Sequence, residues 1–560
     1  MRHPFLLPAL LATCLATPAF AQTRAPGTGT APIDKARLSD MTRTLAGDAF
    51  EGRAPGTPGE ERTVNWLIDR FKALGLQPAG EKGGWTQAVP LLHTRVDQAA
   101  PITIHAGATD MVLAQGKDIY VGTVRDVDRA TIAAAPLVFV GYGVDAPERQ
   151  WDDFKQADLK GKVAVFLVND PDFNAPAGDP VSGVFGGQAM TYYGRWTYKF
   201  DEAAKRGAIG ILIVHDTAGA GYGWNTVIAP GGESFAVVRK PGATEPTMLQ
   251  GWLSADAATR LFAASGLDLA QLGRAARRRD FRPVPLPGAT LSADIAVTRD
   301  RVASRNVLAK LPGTTRPGEI ISFAAHWDAY GIGKPGANGR TIRAGAADDA
   351  IGVAAVLELA RTFAAAPRTK RTLLFAAWTA EERGLLGSET FARSDLYPAR
   401  DMVANFTMDV LQTAGPAHDV VLVGAGQNDL EDALARAARA QGRTVTPDAR
   451  PERGLFYRAD HFSLARRGVP TLLLMGIGGG ADLVKGGRAA GDKWVSDYTA
   501  HCYHQTCDDW SADWDLTGAA QDVALVYRIG RDLADSAAWP GWKAGSEFAP
   551  IRARSRQGAR

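Results

Sequence analysis

Cysteine is nearly absent from this chain, with three in 560 residues. That is too few for a disulfide scaffold or a thiolate cage for zinc. Histidine is also scarce, at nine, so the position of each one matters. No excess of one charge is present: 63 Lys and Arg stand against 60 Asp and Glu, for a formal charge of +3. Nothing in that balance calls for nucleic acid or an anionic membrane surface as a partner. Beyond the N-terminus no apolar run approaches the roughly 20 residues of a membrane span. Glycine is plentiful, at 61, but has no fixed period, which excludes collagen. What is present is ordinary for a folded chain: 46% hydrophobic and 22% charged residues, a composition that argues against disorder. At roughly 150 residues per domain, the length allows three or four units, or one large domain carrying an insertion.

The first residues read as a processing signal. Arg2 and His3 precede an apolar run from Phe5 to Ala16, then Pro18 and a small-residue exit at Ala19-Phe20-Ala21. A basic start, a short apolar core and a small-x-small exit describe a secretory signal peptide over residues 1–21. The expectation is a secreted or periplasmic protein with no membrane anchor. Export bears on Cys502 and Cys507, which sit five residues apart: in an oxidising space they are placed for a small-loop disulfide, and two free or buried thiols are the other reading.

Three blocks follow. From Ile33 to Leu76, apolar residues recur at three- and four-residue spacing (Leu38, Met41, Leu45; Val64, Leu67, Ile68, Phe71), which predicts two helices around the turn-rich loop Glu51–Gly59, with Gly75 as a C-cap. Between about Pro136 and Pro287, apolar strands at Pro136–Gly141, Val163–Val168 and Ile209–Val214 predict a compact insertion with its own small core. From about Ser304, short apolar runs alternate with helical patterns: Ile320–Ala325, Thr372–Ala377, Val403–Met408, Val420–Val423 and Thr471–Met475 against Ala350–Ala365 and Asp429–Gln441. That alternation predicts an α/β fold, a mostly parallel or mixed sheet sandwiched by helices.

In such a sheet, sites form beyond the carboxyl ends of the strands. The first run ends at His326-Trp327-Asp328, and the turn before the next helix carries Asp348-Asp349. The second run ends at Glu381-Glu382, the third at Asp409, and Tyr503-His504 comes after a Gly-rich loop. Singly, each has a bland reading: a structural histidine, a helix N-cap at Asp348, a solvated acidic pair. Together, two imidazoles and several carboxylates on one sheet edge suit zinc without any thiolate, and a carboxylate can bridge two ions.

These residues also resemble a family. His326-x-Asp328, Ala347-Asp348-Asp349-Ala350-Ile351-Gly352, Glu381-Glu382-Arg383-Gly384-Leu385-Leu386-Gly387-Ser388, Met408-Asp409 and Tyr503-His504 are similar, in order, to the signatures of the co-catalytic di-zinc exopeptidases of peptidase clan MH, which include secreted aminopeptidases and glutamate carboxypeptidases. Glu51-Gly52-Arg53 with Gly56–Gly59 looks like the family's N-terminal region, and Tyr457–Phe462 with Gly468-Val469-Pro470 like another family segment. The insertion resembles a protease-associated (PA) domain at Gly141–Pro147 and Leu159–Val163. The resemblance implies the zinc-exopeptidase (phosphorylase/hydrolase-like) fold, with a peptidase domain at 22–133 and 290–545, a β-rich PA domain at 134–289 and a flexible tail at 546–560.

It further implies two Zn²⁺ ions, one on His326, Asp348 and Asp409, the other on Asp348, Glu382 and His504. Glu381 matches the general base, Asp328 the carboxylate that orients His326, and Tyr503 a hydroxyl beside the developing oxyanion. Ile351 and Thr407 depart from the family's frequent serine and asparagine, neither at a ligand position. The activity implied is an aminopeptidase that hydrolyses N-terminal residues of peptides through a metal-bridging hydroxide. A glutamate-carboxypeptidase-like enzyme, a catalytically silent receptor-like protein and a glutaminyl cyclase are the alternatives. His461 reads as structural or as a substrate contact. Trp327, Tyr330 and Trp494 read as core or as pocket wall, and Gly476–Gly491 as a lid or a surface loop.

Overall fold

The computed structural model describes Met1 and residues 32–557. The signal segment expected over 1–21 falls, but for Met1, outside them. Four parallel strands form one end of the main sheet, in the order Thr471–Met475, Met402–Asp409, Arg316–His326, Arg371–Trp378. Arg371–Trp378 and Met402–Asp409 are buried at every position, as their largely apolar runs predict for strands covered on both faces. Successive side chains alternate between the two faces. Ile321, Phe323 and Ala325 enter a core with Ile351–Ala364 and Thr517–Asp535. Ile320 and Ala324 enter another with Phe391 and Leu464, carried by Leu386–Arg393 and His461–Ala465. The result is a mixed sheet between two helical layers, as expected. Helix Ile351–Ala364 is buried almost all round, because Ala, Val and Leu occupy nearly every turn of it.

The 28-residue strand Val284–Leu311 joins two sheets. Its second half pairs antiparallel with Thr86–Val96 and Arg371–Trp378 in the main sheet. Its first half pairs with Ile102–Ala106 and Arg129–Gly141 in a second sheet. That second sheet continues in parallel through Val163–Leu167, Gly210–Val214 and Leu249–Leu253, around a separate core containing Phe139, Val165, Leu212 and Phe262. An inserted lobe with its own core is therefore present, and its limits are wider than the expected 134–289. The hairpin Ile102–Ala106 with Thr109–Leu113, and strand Ile119–Gly122, belong to it, and its core runs from Val96 to Val297. The alternating Ile102, Ile104, Met111 and Leu113 bury one face of that hairpin, a period-2 signal too short to stand out next to the continuous runs.

Two other expectations change. Asp419–Leu422 does not join the main sheet but pairs with Thr444–Pro447 in a ladder of its own. Residues beyond 545 are not a free tail. Helix Ala549–Arg556 docks through Arg552, which donates to the carbonyls of Ala399 and Met402, and the Arg556 guanidinium lies 3.5 Å from the Trp539 ring centre. The lobes touch beside the strand ends: the Tyr192 ring packs on Phe462 at 5.2 Å, Met190 N donates to Pro451 O, and Arg466 pairs with Asp201 at 3.1 Å.

Candidate metal centre

His326 is the last residue of its strand, and Asp409 the last of the neighbouring one. Asp348 lies in the turn Ala346–Ala350, which leads into helix Ile351–Ala364. That turn starts from Gly345 at φ +55°, where a Cβ would lie 2.2 Å from the carbonyl of Asp348, so only glycine fits. The Asp348 carboxylate is shared: Oδ1 lies 3.1 Å from His326 Nε2, and Oδ2 lies 3.2 Å from His504 Nε2. His504 Nε2 is also 3.2 Å from Glu382 Oε2. Ligand atoms of His326, Asp348 and Asp409 all lie within 4.8 Å of one another, and so do those of Asp348, Glu382 and His504. All five sequence-derived ligands thus meet in one place, in two triads sharing Asp348.

Their electrostatics fit cations. Burial, with the nearby Asp348 charge, pushes the Asp409 carboxyl up to about 8. Burial and neighbouring carboxylates raise Glu381 and Glu382 well above the usual range. Burial also opposes ionisation of Asp348, but the two histidines outweigh it and hold its carboxyl low. A buried set of imidazoles and repelling carboxylates is stable as anions only against divalent charge, and nitrogen and oxygen donors without sulfur suit zinc. The residues present therefore fit two such ions.

The supporting residues are arranged partly as expected. The Nδ1 of His326 lies 3.1 Å from the main-chain carbonyl of Asp328, whereas that residue's carboxylate is 3.7 Å from the ring. The carboxylate accepts instead from the N–H groups of Glu381 and Glu382, at 3.0 and 3.4 Å. Asp328 thus orients His326 through its backbone and fixes the acidic loop through its side chain. Glu381 Oε2 lies 3.9 Å from His326 Nε2. The Tyr503 ring stacks on His504 at 3.7 Å, and burial pushes its phenol well up. Cys502 and Cys507 form a disulfide that encloses both residues, and His504 sits at φ +63° within the loop.

Residues given no ligand or catalytic role in the sequence reading also hold the centre. Asp349 accepts from the N–H groups of His326, Gly352 and Val410, tying three elements together. Asp508 accepts from Ala347 N and Asp348 N and from the Tyr498 hydroxyl. Tyr330 reaches His504 Nδ1 through its hydroxyl at 3.1 Å, under the Arg383 guanidinium. Asp508 follows the Tyr503-His504 motif by four residues, the one signal that could have found it. Trp327 is fully buried core, and Trp494 stacks on Tyr498 away from the ligands. His461 is buried against Phe456, and burial lowers it to about 3. Gly476–Gly491 is packed at its two ends, where a Cβ on Gly480 would meet Asp492 N at 2.2 Å and one on Gly491 would meet Ala481 O at 2.0 Å, and exposed at its tip, Val484–Gly486.

Comparison with known proteins gives matches of several kinds. Residues 306–528 match Peptidase family M28. The "Probable lipoprotein aminopeptidase LpqL" of Mycobacterium tuberculosis is 23% identical over 367 residues, 65% of this chain and 56% of that protein. A "Probable zinc metalloprotease" of Pyrenophora teres f. teres is 34% identical over 105 residues, 19% of this chain and 22% of that protein. The chain thus spans about half the length of the mycobacterial relative and less of the fungal one. Among solved structures, the aminopeptidase from Aneurinibacillus sp. strain AM-1 is similar with a TM-score of 0.48 and 19% identity, covering 92% of this chain and 95% of that one.

Proposed function

We propose that this chain, whose residues 306–528 match peptidase family M28, is an exported metallo-aminopeptidase that uses two zinc ions to release N-terminal residues from peptides. The observation that carries the reading is the Asp348 carboxylate set between His326 and His504, one oxygen to each, with Glu381 beside them. Bound at these two triads, metal ions supply Lewis acidity and bring water toward ionisation near neutral pH. The chain supplies the rest. Glu381 holds a proton at its carboxylate and passes it from water to the leaving amine. Asp328 keeps the Glu381–Glu382 backbone in place through two N–H contacts. The Tyr503 hydroxyl donates to the oxyanion. Export rests on the leader pattern and accords with the Cys502–Cys507 disulfide. No described helix is long and apolar enough to cross a membrane. The inserted lobe is read as a PA domain that walls one side of the cleft.

One observation favours the glutamate-carboxypeptidase-like alternative. Arg195 of the inserted lobe is 93% buried, and its Nε and that of Arg453 have no hydrogen-bond partner among the described residues. Arg195 and Arg458 repel one another, and Arg458 lies within electrostatic reach of Glu381. Such guanidinium groups suit a substrate carboxylate. The test assays zinc-loaded protein on amino-acyl anilides and on N-blocked peptides ending in Glu or Asp. Release from the free-amine anilides is expected; turnover of blocked acidic peptides alone overturns the aminopeptidase reading in favour of the alternative.

A further inference from the structure

Arg53 is fully buried, and it is not a ligand. Its side chain meets four main-chain carbonyls: Nε donates to Trp327 O at 2.7 Å, Nη1 to Leu45 O at 2.8 Å and Ala344 O at 2.7 Å, and Nη2 to Gly345 O at 2.9 Å. Trp327 directly follows the ligand His326. Ala344 and Gly345 lead into the turn that carries the shared ligand Asp348. One planar group therefore bolts together the two loops whose spacing sets the distance from His326 Nε2 to Asp348 Oδ1. The remaining carbonyl partner, Leu45, anchors the bolt to the end of helix Lys35–Leu45.

The chain bends sharply to deliver this side chain. Glu51, Gly52 and Arg53 have φ of +51°, +66° and +50°, three left-handed residues in succession. Gly52 leaves no room for a Cβ, which would lie 2.4 Å from Arg343 O, on the strand that leads into the Asp348 turn. The Arg53 carbonyl in turn accepts from Ala329 N at 3.4 Å, just beyond Asp328. A buried guanidinium is expensive as mere filler, and an apolar side chain would occupy the space without needing four acceptors. What the guanidinium provides is a rigid fork of donors in one plane, which a lysine ammonium cannot reproduce. Its charge also lies within reach of Asp328, Asp508, Asp349 and Asp348, which oppose the burial that lowers its pKa.

We propose that Arg53 is a positioning residue of the metal centre, fixing the His326 loop against the Asp348 turn so that both triads form at once. The proposal rests on the reading that these triads hold metal. Its test is titration of chelator-stripped protein with Zn²⁺ by calorimetry, and with Co²⁺ by its visible absorption. Wild type, Arg53→Ala and Arg53→Lys are compared, with circular dichroism to check folding. In both variants the affinity is expected to fall about 10- to 100-fold, the usual effect of losing a residue that orients metal ligands. The Co²⁺ band is expected to shift, and methylguanidinium to restore both readouts in Arg53→Ala. Should Arg53→Ala not fold, Arg53→Lys decides, since it keeps the charge and most of the packing. Wild-type affinity and band position in Arg53→Lys overturn the proposal, as does weakened binding in Arg53→Ala that methylguanidinium leaves unchanged. Absence of metal uptake by wild type overturns the metal-centre reading itself and the proposal with it, so the two failures are told apart.

Discussion

In the inserted lobe, Val163–Leu167, Gly210–Val214 and Leu249–Leu253 run parallel and end at Asn169-Asp170, His215-Asp216 and Ser254. In the lobe that carries the two triads, Arg316–His326, Arg371–Trp378 and Met402–Asp409 run parallel and end at His326, Glu381-Glu382 and Asp409. The residue types are much alike, and their partners are not. Asp216 accepts from Ala218 N and Gly219 N, and Ser254 from Ala257 N, each capping the helix that follows. Asp170 accepts from the backbone and hydroxyl of Thr191, with the charge of Lys199 nearby. Each of these strand-end groups in that lobe is engaged by neighbouring donors. In the triad-bearing lobe, the caps and backbone donors go to Asp349, Asp508 and Asp328, which leaves Asp348, Glu381, Glu382 and Asp409 facing one another. Carboxylates left to repel each other at strand ends mark the functional site; carboxylates engaged by local N–H groups mark structure.

Substitutions break this comparison most strongly in the triad-bearing lobe. Glu381→Gln is expected to lower kcat by about 10³-fold, within the range for a general base, with metal content unchanged by elemental analysis. Asp348→Asn removes the carboxylate shared by both triads, so the same analysis should find the content of both ions reduced. The corresponding change in the inserted lobe, Asp216→Ala, removes only a cap. Its expected cost is about 1 kcal/mol of stability, read as a small drop in Tm, with activity and metal content intact.

The pH dependence of the metal-free protein sharpens the same contrast. Asp409 is raised to about 8, and Asp460 and Asp508 to about 7, all first by burial, from an ordinary value of 3.8. The folded chain then binds more protons than the unfolded chain between about pH 4 and 8, so stability is greatest at low pH in that window and falls as pH rises through it. Melting after chelation should therefore shift to lower temperature from pH 5 to 8. Zinc loading displaces the proton of the ligand Asp409 and should reduce the slope. Asp153 and Asp170, raised by burial to about 7 in the inserted lobe, should keep a shallower remainder.

Legibility of the site followed the range of each interaction. His326, Glu381, Glu382 and Asp409 stand at or just beyond the ends of apolar or nearly apolar runs, so a one-dimensional pattern located them. The same pattern could not show that the Asp328 carboxylate serves the Glu381–Glu382 backbone while its carbonyl serves His326. The hairpin Ile102–Leu113 escaped because five-residue alternation is a weak signal, and it gains its place only by pairing with the distant strand Val284–Leu311. Helix Ala549–Arg556 escaped because its docking depends on Arg552 reaching Ala399 and Met402, about 150 residues away.

The order of apolar runs and the residue at each run's end were determined by the sequence alone, because burial on both faces and ligand chemistry are properties of residue types in a local order. Which carboxylates meet each other and which are taken up by backbone donors was decided only by the tertiary structure. Arg53 shows the reason: its role lies in four carbonyls from three separate segments, and no spacing along the chain encodes their convergence.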